Sequence, residues 1–503
     1  MGDCAINISY EDSVDKEGNV TLSAAQKLAE VLEIDEQTIY ERITDTSKSS
    51  VRLARQVKLE VGDAIRAANL RGIAVTEDTV RAYPMGDFLT QVLGFCTASG
   101  EGQEGLEKSL DKVLKGTDGR IVSEIDARSR KMETGEEEYI VPQNGYTVQL
   151  TVDYIIQAIM EKVADQALED NGAVSVQAVM MNVKTGEILG MVNRPGFDLN
   201  SPPRDDIQTL TELMRISAVS DAYEPGSTFK SLTCAAALDA GVASVGDTFQ
   251  CTGSIRVDGD TIRCWKKSHG HETLAEGLKN SCNPVFVTLA LRMGTQRLYQ
   301  YLRAFGLGAR TGVDLPGEGT GILINSRYVK NVDLARIGFG QSVAVTPIQM
   351  ITAFSSVVNG GKLMKPYIVS AILDEDGGIV QRTAPQVVAS PIRAETSQTM
   401  RELLEKVVSE GSGKTARVPG YRIGGKTGTS EKLDQQGDDG VEDYVSSFLA
   451  VAPIDDPQIV VLMLLDEAQM ENPYGSVVAA PVVGAMLADI LPYLGIEPDY
   501  TAE

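Results

Sequence analysis

Three short motifs place hydroxyls, amines and an amide in an order that suits acyl transfer: Ser227-Thr228-Phe229-Lys230, Ser281-Cys282-Asn283 and Lys426-Thr427-Gly428-Thr429. In the first, an alcohol and an amine stand three residues apart at the start of an apolar stretch, Ser227 to Ala240, that Gly241 ends. That helical spacing puts both side chains on one face. Serine is a weak nucleophile until a base takes its proton, and a lysine kept dry beside another cation is neutral enough to take it. Lys230 is placed to be that base. Pro225-Gly226 makes a tight entry, and the helix N-terminus turns backbone N–H groups toward an oxyanion forming at Ser227. Ser281 is suited to relay a proton between Lys230 and a leaving amine, and Asn283 to hold a peptide carbonyl of the substrate. Lys426 sets the local field. Thr427-Gly428-Thr429 is expected to bind a substrate carboxylate, with the Thr429 N–H joining that of Ser227 in an oxyanion hole.

Taken singly, each motif has a bland reading as a helix turn, a loop turn or a strand end. Their order along the chain is the one found in penicillin-binding proteins and class A β-lactamases. The resemblance extends through Tyr223-Glu224-Pro225-Gly226, Asn280 to Pro284, Val313-Asp314-Leu315-Pro316-Gly317-Glu318, Gly338-Phe339-Gly340-Gln341 and Gly424-Gly425, all similar to class B penicillin-binding proteins. Upstream, Arg81-Ala82-Tyr83-Pro84, Gly105-Leu106-Glu107 and Leu114 to Gly119 resemble the pedestal domain of that family. Cys264 and the Ser-Cys-Asn pattern look most like its Gram-positive division and sporulation branch.

The resemblance implies an α+β transpeptidase fold, an antiparallel sheet flanked by helices, on an amino-terminal pedestal. It implies a D-Ala-D-Ala transpeptidase that cross-links peptidoglycan stem peptides through a Ser227 acyl-enzyme and is inhibited by β-lactams. No cofactor is expected. The expected partners are a membrane glycosyltransferase and other wall-synthesis proteins. Two alternatives share or set aside the same trio: a β-lactamase or DD-carboxypeptidase that passes the acyl group to water, and a wall-synthesis scaffold with little catalysis.

A second pattern overlaps the third motif. Gly420-Tyr421-Arg422-Ile423-Gly424-Gly425-Lys426-Thr427 fits a P-loop, and Val460 to Leu465 followed by Asp466-Glu467 resembles its companion strand. A P-loop must open a helix, because the helix N-terminus forms part of its phosphate site. The segment 428–443 is polar and glycine-rich without helical period, which argues against nucleotide binding.

A chain of 503 residues with 43% hydrophobic content is long enough for two full cores. Its formal charge of -24 argues against nucleic acid and against a polybasic membrane patch. No run approaches the roughly twenty apolar residues of a membrane span. The resemblance implies an amino-terminal anchor, so the expectation is an ectodomain on the extracytoplasmic face of the cell membrane whose anchor has been removed.

Six cysteines in such a chain do not make a disulfide framework. Cys264 and Cys282 are either packed thiols or a redox pair whose closure would pull Ser281 and Asn283 out of place. Cys251 competes as a partner for Cys264 through a hairpin between them. His269 and His271 flank Gly270, but a zinc site takes three or four ligands and no Cys-x-x-Cys or His-x-x-x-His supplies them. They are expected to be loop histidines, with no metal.

The elements that must position these groups follow from period and punctuation. Residues 1–150 are assigned to the pedestal, 151–495 to the transpeptidase domain and 496–503 to a tail. In the pedestal, Cys4 to Ser9 reads as a strand, Leu22 to Leu32 and Val51 to Leu70 as helical, and two strand-like pieces bracket the glycine-rich Gly94 to Gly105. Tyr146 to Val152 alternates as a strand before a helix over Asp153 to Asp170. Val174 to Asn182 and Glu187 to Val192 form a hairpin. Helix is expected over Glu272 to Lys279 and again from Asn283. Strands over Tyr421 to Gly425, Tyr444 to Ala452 and Gln458 to Leu465 precede a closing helix from Ser476 to Leu491.

Overall fold

A computed structural model describes residues 5–10, 22–45, 47–48, 50–70, 72–123, 137–436 and 442–499. Its centre is a five-stranded antiparallel sheet. Helix α1 (Tyr154–Asn171) leads into it, opened by the Asp153 carboxylate, which accepts the N–H groups of Ile155 and Ile156, and closed by Gly172 in the left-handed region. Strands β1 (Ser175–Asn182) and β2 (Ile188–Arg194) form the expected hairpin. Far along the chain, β3 (Gly424–Gln436), β4 (Glu442–Ala452) and β5 (Ile459–Asp466) complete the sheet in the order β3-β4-β5-β1-β2.

Alternation along these strands divides the core into two layers, because successive side chains point to opposite faces. Ala178 and Met180 of β1 and Val461, Met463 and Leu465 of β5 pack with Met160 of α1. That layer also holds Val483, Met486 and Ile490 of the closing helix (Ala480–Tyr493). The intervening Val179, Met181, Val460, Leu462 and Leu464 face the other way, into a larger core containing Phe229, Leu232, Ala235 and Phe286. The nucleophile motif is therefore rooted in the second layer. Its neighbour β3 is an edge strand, which leaves one side of the third motif free to face a ligand.

The pedestal carries a three-stranded sheet of Val51–Val57, Ala5–Tyr10 and Ile73–Asp78. Here two expectations are corrected. Val51 to Leu70 is not helical throughout: Val51–Val57 is a strand paired with Ala5–Tyr10, and only Leu59–Ala67 is helix. The pieces that bracket Gly94 to Gly105 are short helices, Thr90–Leu93 and Gly105–Ser109, and pairing between them is confined to an isolated antiparallel bridge, Cys96↔Gly102, where the backbones of Gly94 and Gly105 approach closely. Much of the polar segment from Lys131 lies outside the described residues.

The pedestal meets the sheet domain through a buried polar joint. Glu161 on α1 accepts the Leu89 N–H at 2.8 Å and pairs with Arg194 at the end of β2 at 3.3 Å. Among the described residues, no helix is long and apolar enough to cross a membrane.

Candidate active site

The first motif begins as a turn of 3-10 helix, Gly226–Phe229, and continues as helix α2 (Lys230–Asp239), so the expected helix from Ser227 has a tighter first turn. Three bonds anchor its entry. Gly226 N–H donates to Gly340 O at 3.0 Å. Ser342 N–H donates to the Glu224 carboxylate at 2.8 Å, and the Ser430 hydroxyl of β3 donates to Glu224 O at 2.6 Å. The Gly338-Phe339-Gly340-Gln341 stretch thus holds the nucleophile turn. Ser227 is half-buried, and its hydroxyl has no hydrogen-bond partner within the protein among the described residues. Thr228, Phe229 and Lys230 beneath it are fully buried.

Lys230 extends from α2 to the second motif. Its Nζ donates to Ser281 O at 2.7 Å and to Asn283 Oδ1 at 2.6 Å, and lies 3.2 Å from Ser281 Oγ. Lys426 reaches the same hydroxyl from β3, with Nζ 3.0 Å from Ser281 Oγ and 3.0 Å from Thr427 O. The three motifs thus converge on one hydroxyl, Ser281 Oγ, between two buried amines. Two ammonium ions so placed repel, and both side chains are fully buried, which disfavours their charged forms. Burial pushes Lys230 down from the ordinary lysine value to about 8, against the opposing pull of Cys264, Cys282 and Glu272. Burial, reinforced by Lys230, holds Lys426 well below the usual lysine range.

Ser281 occupies its position at a conformational cost. Its φ is 55°, in the left-handed region, which costs a non-glycine residue about 1–2 kcal/mol. The preceding helix, Leu274–Lys279, carries a Thr273–Glu276 capping box and ends in bonds from Ser281 N–H to Leu278 O and from Cys282 N–H to Gly277 O. Cys282 then caps helix α3 (Asn283–Ala304), which is interrupted at Gly294. The loop after Arg263 braces the motif from outside: Asn283 Nδ2 donates to Arg263 O, and Trp265 Nε1 to Asn280 O, both at 2.9 Å.

The third motif does not end a strand, as expected from its glycines; it lies inside β3, paired residue for residue with β4 from Gly424↔Val451 to Glu431↔Tyr444. Lys426 lies within a strand that continues to Gln436 and does not open a helix, so the P-loop pattern has no structural counterpart. Thr427 and Thr429 share one face by the period of the strand. The Thr429 hydroxyl accepts Gly475 N–H at 3.1 Å, leaving its proton to donate. Thr427 Oγ1 lies 3.1 Å from Ser412 Oγ. Ser412 was not singled out from sequence. It lies outside every motif, in the bend after the helix Ala394–Ser409, and only the fold brings it to Thr427.

The histidines separate. His271 is exposed, whereas His269 Nδ1 lies 3.6 Å from both Cys251 Sγ and Cys264 Sγ. With Cys282 Sγ these four atoms all lie within 4.8 Å of one another. The sequence reading found too few ligands around His269 for a metal; the structure supplies three sulfurs from separate elements. All three are free thiols, so the alternatives of a Cys264–Cys282 and a Cys251–Cys264 pair meet in one cluster.

Two family descriptions match the chain: "Penicillin-binding Protein dimerisation domain" over residues 4–150 and "Penicillin binding protein transpeptidase domain" over residues 176–488. The chain is 41% identical to Stage V sporulation protein D of Bacillus subtilis over 95% of its own length and 74% of that protein. It is 30% identical to peptidoglycan D,D-transpeptidase FtsI of Escherichia coli, over 94% of this chain and 77% of that one. Penicillin-binding protein 3 of Mycobacterium tuberculosis, solved in complex with aztreonam, superposes with a TM-score of 0.73 at 32% identity, covering 84% of this chain and 92% of that chain.

Proposed function

The chain belongs to the class B penicillin-binding proteins, and from that premise we propose the steps by which it acts as a peptidoglycan D,D-transpeptidase. Ser227 Oγ attacks the carbonyl of the penultimate D-Ala of a stem peptide while Lys230 Nζ takes its proton. The oxyanion that forms is held by backbone N–H groups of Ser227 and Thr429. Collapse breaks the peptide bond, and the leaving D-Ala amine receives the proton from Lys230 through Ser281. The ester on Ser227 is then attacked by the amine of a neighbouring stem peptide, which gives up a proton through Lys230 to the departing Ser227 oxygen as the cross-link forms.

Thr427 and Thr429, with Gly428 between them, bind the terminal carboxylate in the field of Lys426, and Asn283 orients the peptide. A β-lactam presents a strained amide and a carboxylate to the same groups. The observation that carries this reading is the path Lys230–Ser281–Lys426 behind the half-buried Ser227, whose hydroxyl has no hydrogen-bond partner among the described residues. Glu224, the acidic residue nearest to Ser227 in sequence, holds Ser342 N–H with its carboxylate. Its role in bracing the turn gives no support to a deacylating base there.

We assign residues 1–150 to a pedestal that docks other wall-synthesis proteins, a membrane glycosyltransferase among them, on the extracytoplasmic side of the membrane, and 151–495 to catalysis. The test is to incubate the protein with a stem peptide ending in D-Ala-D-Ala and a second stem peptide bearing a free amine, and to analyse products by mass spectrometry. A cross-linked dimer with release of D-Ala is expected. Hydrolysed donor alone would establish the carboxypeptidase alternative, and an unchanged donor the scaffold.

A further inference from the structure

We propose that Arg263, Lys266 and Lys267, set around Trp265 on the rim of the active site, form a subsite for an acidic residue of the donor stem peptide upstream of its D-Ala-D-Ala end. The chain as a whole is strongly acidic, with 70 acidic against 46 basic side chains. Against that surplus, Arg263, Lys266 and Lys267 are all exposed and no acid lies among them. None of the three forms an ion pair among the described residues, and the acids of the same stretch have other partners. Asp258 accepts Asn331 Nδ2, Asp260 pairs with Arg336, Glu272 accepts Asn280 Nδ2, and Glu276 closes the capping box at Thr273. Cations clustered and left open in this way draw in a ligand of opposite sign.

The loop holds these groups in place. Cys264 N–H donates to Gly253 O at 2.9 Å, and Ser268 Oγ to Cys251 O at 2.7 Å. Lys267 O lies so close to Gly253 that a Cβ there would clash with it. Trp265 is 65% exposed, yet its Nε1–H is fixed on Asn280 O at 2.9 Å and its ring stands 5.6 Å from that of His269. An indole pinned by its N–H offers apolar surface to the methylenes of a side chain whose charged end reaches a neighbouring cation.

The loop joins the catalytic wall on both sides of Ser281. Asn280 accepts the Trp265 bond, while Asn283 donates Nδ2–H to Arg263 O at 2.9 Å and accepts Lys230 Nζ at its Oδ1. On the transpeptidase reading, on which this subsite rests, the terminal carboxylate of the donor lies at Thr427 and Thr429 and its scissile carbonyl at Ser227. The donor then runs from β3 past Ser227 to Asn283, and its preceding residues meet the rim at Arg263 to Lys267. The terminal carboxylate is already bound, so the charge that the rim takes up belongs to a second carboxylate upstream. Binding energy from this remote part of the substrate helps to hold the reacting bond in register.

The experiment compares two synthetic donors that both end in D-Ala-D-Ala and differ only upstream, where one carries a glutamate carboxylate and the other a glutamine carboxamide. The ratio of their kcat/KM values for D-Ala release is measured on the wild-type protein and on a Lys266→Gln/Lys267→Gln variant. The wild type is expected to favour the acidic donor about fivefold, the scale of two exposed charge pairs, and to lose that preference as salt is raised. In the variant the ratio should fall to about one at low salt. Both donors meet the same preparation, so partial unfolding lowers both rates and leaves the ratio as it was. Equal rates for the two donors on the wild type would overturn the subsite while leaving transpeptidation standing, and a patch that serves an anionic polymer instead would give that result. A preference that survives in the variant would overturn the assignment to these lysines. Reaction with neither donor would remove the transpeptidase reading and the subsite with it.

Discussion

In the proposed mechanism Lys230 is the base, because burial that makes an ammonium expensive makes a neutral amine available. Its value of about 8 fixes the sign of a pH prediction. Below it the amine is protonated and cannot accept the Ser227 proton; above it the base is free. Around it stand Ser281 and Asn283, the second amine Lys426, and Cys264, Cys282 and Glu272, whose negative charge would oppose the shift. The second-order rate of penicillin acylation should thus rise about tenfold per pH unit on the acidic side and level off above about 8. A stopped-flow profile flat from pH 6 to 9 would remove Lys230 as the base. Lys230→Ala should lose acylation as completely as loss of the serine, since groups acting as one unit are not additive. Thr427→Val should instead cost about 1–3 kcal/mol of transition-state stabilisation, the range for an unmade bond to a charged group, read as a fall in acylation rate with folding intact.

At the scale of elements, the catalytic groups depend on how closely β3 approaches the nucleophile turn. A Cβ on Gly428 would lie 2.3 Å from Ser447 Oγ, 2.9 Å from Thr228 Cγ2 and 3.1 Å from Pro225 O. Gly428→Ala should therefore push strand and turn apart, costing about 1–3 kcal/mol of stability and a larger share of acylation. Adding Ser447→Ala should recover part of both, which thermal melts and acylation rates of the two variants would reveal. What the sequence disclosed divides along the same line. Ser227, Lys230, Ser281, Asn283 and Lys426 were legible because each stands in a short contiguous motif, and the β1–β2 hairpin because its period and turn are local. The strand Val51–Val57 was not: charges at Arg52 and Arg55 hide its alternation, and its partner Ala5–Tyr10 lies some forty residues away. The extent of β3 was hidden by glycines that weaken strand propensity but are required by close packing. Ser412, and the meeting of His269 with Cys251, Cys264 and Cys282 that the sequence had paired only two at a time, escaped for a related reason, since the partners come from separate elements whose spacing matches no local pattern.

For the whole molecule, residues 1–150 join the sheet domain through an apolar cluster of Phe95, Leu199 and Leu210, hydrogen bonds from Gln91 to Pro195 O and Leu213 O, and a buried ionic joint. Arg194 reaches Glu161 and Asp165, and Glu161 in turn holds Leu89 N–H and Gln157. Removing one partner of a buried pair leaves an unpaired charge and costs about 3–5 kcal/mol. Arg194→Ala should accordingly lower the melting temperature and raise hydrogen exchange around residues 86–93, while isolated acylation chemistry changes little. Unaltered exchange there would show that the joint does not hold the pedestal. The central claim, that the fold presents Ser227 for acylation, is tested most directly by intact-protein mass spectrometry after incubation with benzylpenicillin. A single covalent adduct is predicted on the folded wild-type chain, mapping to the peptide that contains Ser227 and absent from Ser227→Ala. Folded wild-type protein that forms no adduct, or a Ser227→Ala variant that still forms one, would contradict the account.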